Sequence, residues 1–377
     1  MKYKKLSVKR FIKKCLLYIF GLIAVTLKFL RLIFKQEKSK KILILSFWGM
    51  GDSIQQTPIY FGLREKYFDY KIDVISSKRS NDYLNYLNIF DNVYTDLVPW
   101  SKKNDKYKIF SYEYFEFFKF IKKLRNEKYE IAFSARPDTR DYIFLLLINP
   151  KILFCNSLYF GKFIGELKTK FERNINKVEY IKKVCSELGI SFNYKLKNLN
   201  TIKEKKISIF IDSNDPTKEI NLDLILNSIE NIEFNKNYEI NIISQKSEIQ
   251  YTELIEKYSN VKVKNTNFFK DLIGELSSSS YFIGSDSGPA HLASIIGVQS
   301  LVIFTSGTPF EDTPYNSTSI FLDNFACRPC AGHCIYKKNY CKEGIYSIEM
   351  SKHFKNFFEK NDVVSKKATQ LIPVTII

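Results

Sequence analysis

The sequence predicts an α/β protein of two Rossmann-like domains facing a cleft, preceded by a basic amphipathic N-terminal helix. Three observations carry this. A strand, a glycine-bearing turn and a helix follow one another over residues 41–68, the opening of a Rossmann-like unit. The alternation of apolar strands and helical patterns restarts at Lys206, after a Lys/Asn-rich stretch (194–206) without periodicity, and such a restart implies a second sheet. The charge is also lopsided. Residues 1–41 hold thirteen Lys or Arg against the single acid Glu37, so this arm accounts for +12 of the net charge of +18 and leaves +6 for the remaining 336 residues. The expected divisions are 1–38 for the helix, 39–200 and 201–348 for the two domains, and 349–377 for a C-terminal helix and tail. A chain of 377 residues with 45% hydrophobic content can fill two cores,. Charge concentrated in one arm argues against nucleic acid as a partner and for an anionic membrane surface.

The arm is strongly apolar from Phe11 to Phe34, but its longest uncharged run, Cys15–Leu27, is thirteen residues. A spanning helix needs about 20. On a helical wheel at about 100° per residue, Lys9, Arg10, Lys13, Lys14, Lys28, Arg31 and Lys35 fall within an arc of roughly 140°. The expectation is a helix lying in the membrane interface, with a true anchor, its Lys28 and Arg31 snorkelling, as the alternative. No small-residue cleavage site follows, which disfavours a signal peptide.

In the first domain, Lys41–Phe47 reads as a buried strand, Trp48–Asp52 as a turn and Ser53–Phe68 as a helix. The turn reads Gly-x-Gly-Asp and lacks the third glycine of the dinucleotide fingerprint, so it does not support an NAD site. Gly51 and Asp52 would lie at the carboxyl end of the first strand, where open α/β sheets place ligands. A carboxylate there suits a general base for a hydroxyl; capping the next helix is its plainer role. Further strands are expected at 71–76, 93–98, 129–134 and 151–155, with helices over 82–88, 112–127 and 174–188. Arg136 and Arg140 follow a strand end and are candidates for an anionic acceptor group, or plain solvated loop residues.

In the second domain, strands are expected at 206–212, 238–244, 261–263, 281–284 and 300–305, with helices over 221–232, 247–258 and 268–277. The stretch Tyr281-Phe-Ile-Gly-Ser-Asp-Ser-Gly-Pro-Ala-His-Leu-Ala-Ser-Ile-Ile-Gly297 carries the most chemistry. It reads as strand, small-residue turn and helix, with Pro289 suited to the first helical position and Gly297 to a left-handed C-cap. A helix N-terminus at a strand end attracts phosphate. Ser287 adds a hydroxyl, Gly288 permits close approach and His291 lies one turn in. Asp286 suits a sugar hydroxyl or an orienting role. An ordinary capped helix with a core histidine is the plainer reading. Ser213, Lys218 and Thr308 sit in loops on the same rim, and Lys218 could neutralise diphosphate charge. A helix from about Ile348 to Leu371 is expected to pack back across the domains.

Cys327, Cys330, Cys334 and Cys341 form a C-x2-C-x3-C-x6-C cluster with His333 nearby. The spacing admits a structural zinc site, paired disulfides or reduced thiols, and nothing in it suggests metal chemistry.

Gly51-Asp52 with Thr57-Pro58, together with Ser285-Asp-Ser-Gly-Pro-Ala-His-Leu-Ala293 and Gly297, resembles glycosyltransferase family 9, the lipopolysaccharide heptosyltransferases and their relatives, over roughly residues 40–350. The cysteine cluster is similar to that of many members. The resemblance implies the GT-B fold with the acceptor domain first, and inverting, metal-independent transfer of heptose from ADP-heptose to a lipid-linked saccharide core. It implies an enzyme on the cytoplasmic face of the membrane, needing no cofactor beyond a nucleotide-sugar donor. By the same resemblance Asp52 is the catalytic base. Asp286, Ser287, Gly288 and His291 contact the donor, with Lys218 near its phosphates. The chain departs from the pattern after the second domain's first strand, where Asp212-Ser-Asn-Asp215 replaces small residues and Glu219-Ile220-Asn221 follows Lys218; the departure bears on donor identity. A related GT-B enzyme such as a nucleotide-sugar epimerase, and a scaffold with a decayed site, are the other readings.

Overall fold

The structure, a computed structural model, describes residues 8–31, 39–47, 49–95, 98, 112–155, 167–172, 175–196, 199, 202–213, 215–230, 232, 237–244, 251–258, 260–323, 325, 339–346, 349–362 and 370–374. Two compact units divide the chain. One holds Lys5–Arg173 and Val178–Asn193; the other holds Asn174–Lys177 and Tyr194–Ile377.

Among the described residues the first unit carries five strands, β1 (Lys41–Ser46), β2 (Lys71–Ser76), β3 (Asn92–Thr95), β4 (Ile131–Ser134) and β5 (Ile152–Cys155), in the order β3-β2-β1-β4-β5. Every pairing is parallel. Their apolar runs follow from burial on both faces: Ile42 to Leu45 are all buried. The expected helix over 53–68 is two helices, Met50–Gln55 and Thr57–Lys66, which meet at Gln56. The helix Thr139–Ile148 did not show in the periodicity. It is buried on nearly every side, so its apolar run has no polar face to set a 3.6-residue rhythm.

The N-terminal helix Val8–Arg31 packs on Thr139–Ile148. No helix among the described residues is long and apolar enough to cross a membrane. Gly21 and Ala24 are buried and Lys28, on the same face, is half-buried, so this stretch of the helix turns that face to the protein. Gly21 and Ala24 are small and permit close helix approach there. The outward face is Tyr18, Ile19, Leu22, Ile23, Phe29 and Leu30, all exposed.

The second unit carries β6 (Glu204–Phe210), β7 (Glu239–Ser244), β8 (Val261–Asn265), β9 (Ser279–Ser285), β10 (Gln299–Phe304), β11 (Thr318–Leu322) and β12 (Gln370–Val374), ordered β12-β11-β10-β9-β6-β7-β8. The pairings are again parallel. From β8 to β11 this is the doubly wound Rossmann order, with β12 added at one edge. The C-terminal segment corrects the sequence expectation. The helix is Met350–Asp362, and Leu371 lies in β12, paired with β11. Met350, Phe354, Phe357 and Phe358 join the core of this unit, beside Ile207, Ile225 and Tyr281.

Candidate active site

In each sheet the strand order reverses at one point, between β1 and β4 and between β6 and β9. Helices leave such a point on opposite faces, which opens a crevice at the carboxyl ends of the strands. The candidate residues gather at these two places.

In the second unit Phe210 pairs with Gly284, so the chains leaving β6 and β9 start side by side. Ser213 and Lys218 lie in the first, Asp286 and Ser287 in the second, and Thr308 follows β10. The three loops are tied together. Thr305 Oγ1 donates to the Thr217 carbonyl at 2.6 Å, Thr217 Oγ1 meets Ser306 Oγ at 3.0 Å, and Asn339 Nδ2 donates to the Thr217 carbonyl at 3.2 Å. Ser213 Oγ accepts from the Asp215 amide at 3.1 Å and shapes the start of its loop.

The helix Gly288–Ile296 begins here with Ser287 as N-cap and Pro289 in its first turn. It ends on Gly297 at φ +90°, whose amide donates to the Ala293 and Ser294 carbonyls. This is the capping the sequence implied. Ser287 Oγ spends its proton on the Ser285 carbonyl at 3.1 Å rather than capping the helix. His291 is buried one turn in.

Lys218 Nζ donates to Asp286 Oδ2. Beside this pair is a second one that no local pattern signals. Lys177 Nζ lies 2.6 Å from Asp312 Oδ1, and Asp312 Oδ2 also accepts from Thr308 Oγ1. Two ammoniums and two carboxylates thus form one neutral cluster. Burial pushes the Asp286 carboxyl up to about 6, helped by the Asp312 charge and opposed by Lys218. Burial works against the charge on Lys218, but Asp286 and Asp312 outweigh it and hold the ammonium above its ordinary value. Burial likewise works against Asp312, yet Lys177 and the Thr308 hydroxyl keep it below the usual carboxylate range. Gly307, at φ +85°, runs against the cluster. A Cβ there would stand 3.4 Å from Asp286 Oδ2 and 3.9 Å from Lys218 Nζ.

In the first unit Leu45 pairs with Ser134, so the loops after β1 and β4 start side by side. Gly51 and Asp52 occupy the first turn of Met50–Gln55, both half-buried. Gly49 is the N-cap, so Asp52 is not the capping residue. The turn is braced from beneath by buried hydroxyls. Ser46 Oγ meets Ser53 Oγ at 2.8 Å and Tyr60 OH at 2.9 Å, and Ser53 Oγ donates to Ser80 Oγ at 2.9 Å. Burial raises the Tyr60 phenol, so it stays protonated and serves only as a hydrogen-bonding group. Gln55, one turn on from Asp52, is buried with neither end of its amide hydrogen-bonded among the described residues.

Arg136 and Arg140 follow β4, and both reach Asp138. Arg136 Nη2 is 2.7 Å and Arg140 Nη2 2.6 Å from Asp138 Oδ2, while Oδ1 accepts from the Arg140 amide at 2.9 Å. Burial opposes this carboxylate, but the two guanidiniums hold it below its ordinary value. An anionic group binding these arginines would share them with Asp138. Cys327, Cys330 and Cys334 lie outside the described residues. Cys341 is buried, and no metal-binding group of His, Cys, Asp or Glu occurs among the described residues.

No family model matches the chain and no curated protein matches it. Solved structures do. Heptosyltransferase WaaC from E. coli, solved with ADP, superposes at a TM-score of 0.62 with 14% identity, over 85% of this chain and 99% of that one. The chain has the GT-B fold. A glycosyl transferase family 9 protein from Veillonella parvula gives 0.57 and 17%, over 76% of this chain and 86% of its own. The E. coli ADP-heptose lipopolysaccharide heptosyltransferase II gives 0.55 and 12%, over 86% and 100%. At these identities the likeness is one of fold, and it agrees with the resemblance carried by the 51–58 and 285–297 motifs.

Proposed function

We propose that the chain is an inverting glycosyltransferase acting on a nucleotide-sugar donor, with ADP-heptose the first candidate and a lipid-linked saccharide as acceptor. One observation carries this reading. At the second unit's switch point a free helix N-terminus, the lysine-bearing loop after β6 and the glycine at 307 converge, an arrangement suited to a diphosphate. Support comes from the fold it shares with heptosyltransferases and from the carboxylate of Asp52 at the other switch point.

In this reading an acceptor hydroxyl attacks the anomeric carbon while its proton passes to the Asp52 carboxylate. The bond from that carbon to the diphosphate breaks, and the nucleoside diphosphate leaves with the electron pair. The first-turn amides of Gly288–Ile296 and the Lys218 ammonium stabilise the negative charge that grows on the leaving group. Because the four-group cluster is neutral, Lys218 is drawn from Asp286 to the diphosphate only when donor is present. The step needs no metal. The enzyme works at the cytoplasmic membrane face, where the helix Val8–Arg31 lies on the lipid surface.

The test is nucleotide release from a panel of nucleotide sugars, with and without candidate saccharide acceptors. Acceptor-dependent release from ADP-heptose supports the reading. Release or epimerisation without any acceptor supports the epimerase. Binding of nucleotide with no turnover of any donor supports the scaffold.

A further inference from the structure

We infer that a second element, the helix Tyr112–Asn126, docks on the same anionic lipid surface as the N-terminal helix. The inference rests on the membrane-surface part of the proposed function and extends it to the body of the first unit. This helix buries Phe117, Phe120, Ile121 and Leu124 against the core, beside Phe144 and Leu145. A surface helix with that inner face turns a polar face outward, and here two large rings interrupt it. Phe115 is 58% exposed and Phe118 is 60% exposed, one turn apart on the outer side.

The charges around them have one sign in excess. Lys119, Lys122 and Arg125 continue the outer face at helical spacing, all exposed. Lys119 Nζ stands 4.5 Å over the Phe115 ring and 3.0 Å from Glu116, the acid at the rim of that face. In sequence, residues 101–128 hold nine Lys or Arg against four acids, which is most of the +6 carried by the chain after residue 41. Aromatic rings flanked by cations are what enters the headgroup boundary of an anionic bilayer.

The geometry adds a second reason. This helix and Val8–Arg31 both pack on Thr139–Ile148, so both exposed apolar faces belong to the same helical layer of the first unit. Two separate contacts orient a protein on a surface where one helix alone would leave it free to swivel. A membrane is favoured over a second copy of the chain because copies would bring like charges face to face.

The test is cosedimentation of the full chain with vesicles of phosphatidylcholine containing phosphatidylglycerol, and with vesicles of phosphatidylcholine alone. Wild type should bind the anionic vesicles, and binding should weaken with salt. Phe115→Ser/Phe118→Ser should reduce that binding at least fivefold, and Lys119→Gln/Lys122→Gln/Arg125→Gln by more, since each cation contributes roughly fivefold. Leu22→Ser/Ile23→Ser/Phe29→Ser reports on the N-terminal helix separately. All substitutions are at exposed positions, and matching thermal melts would show that folding is intact. If the two phenylalanine changes leave binding unaltered while the N-terminal changes abolish it, the inference is wrong and the membrane reading stands. If wild type binds neither vesicle, both fall. If wild type is a dimer that Phe115→Ser/Phe118→Ser makes monomeric, the face belongs to a second copy and the inference is overturned. No donor is used, so the outcome is independent of whether sugar transfer is found.

Discussion

Replacing Lys177 by Met tests whether the four-group cluster is held together as described. The substitution keeps most of the apolar stem and removes the ammonium 2.6 Å from Asp312. Its side chain is 20% exposed and that of Asp312 19%, so the orphaned carboxylate stays largely out of water. Breaking a fully buried pair costs about 3–5 kcal/mol. Partial exposure and the remaining Thr308 hydroxyl bring the expectation down to about 2 kcal/mol. For a unit of this size that is roughly 4–8 °C in Tm. The measurement is a double-mutant cycle in urea at neutral pH with Lys177→Met, Asp312→Asn and both. A coupling energy near 2 kcal/mol is expected. The pH dependence follows from the sign of the Asp312 shift. Its folded carboxyl is held low, so its contribution is full above the ordinary carboxylate range and is lost as pH falls through the depressed value. The gap between wild type and Lys177→Met should therefore close on acidification. Additive single effects, with coupling below about 0.5 kcal/mol, would refute the reasoning.

Three further outcomes are expected. Asp52→Asn should lower sugar transfer by roughly 10²–10⁴-fold, the range for a general base, with nucleotide affinity unchanged by calorimetry; retained transfer would remove Asp52 as the base. Gly307→Ala should lose about 1–2 kcal/mol on thermal unfolding because its φ of +85° is strained for any residue with a Cβ,, and it should weaken nucleotide binding by crowding Asp286 and Lys218. Asp286 has the opposite linkage to Asp312. Its folded carboxyl, pushed up to about 6, retains a proton that the unfolded chain has released, so its contribution declines as pH rises from about 4 to about 6. Relative to Asp286→Asn, wild type should lose up to about 3 kcal/mol over that window in urea melts, and a flat difference would contradict the assignment.

Much of the fold was legible because each sheet is built from buried parallel strands, whose apolar runs stand out against charged connections. The helix Thr139–Ile148 was hidden for the same physical reason in reverse: buried all round, it shows no alternation. The end of the chain misled because Phe354, Phe357 and Phe358 give a helical pattern that nothing local stops, and the pairing of Leu371 with Ser319 is a contact between distant residues. Which face of the N-terminal helix meets the protein was not legible, because a wheel sorts charges and does not show what Gly21 and Ala24 pack against.

The same division runs through the site. The sequence by itself determined the local geometry of Ser285–Gly297, since turn, proline start and glycine end are set by backbone sterics among neighbours. It also determined that Gly51 and Asp52 leave a strand for a helix. Only the tertiary structure decided what these groups meet. Lys218 and Asp286 are 68 residues apart and form an ion pair, and Lys177 and Asp312 join them from still more distant segments. Arg136 and Arg140 prove to be shared with Asp138. Charges take partners across space according to burial and distance, and neither quantity is written along the chain.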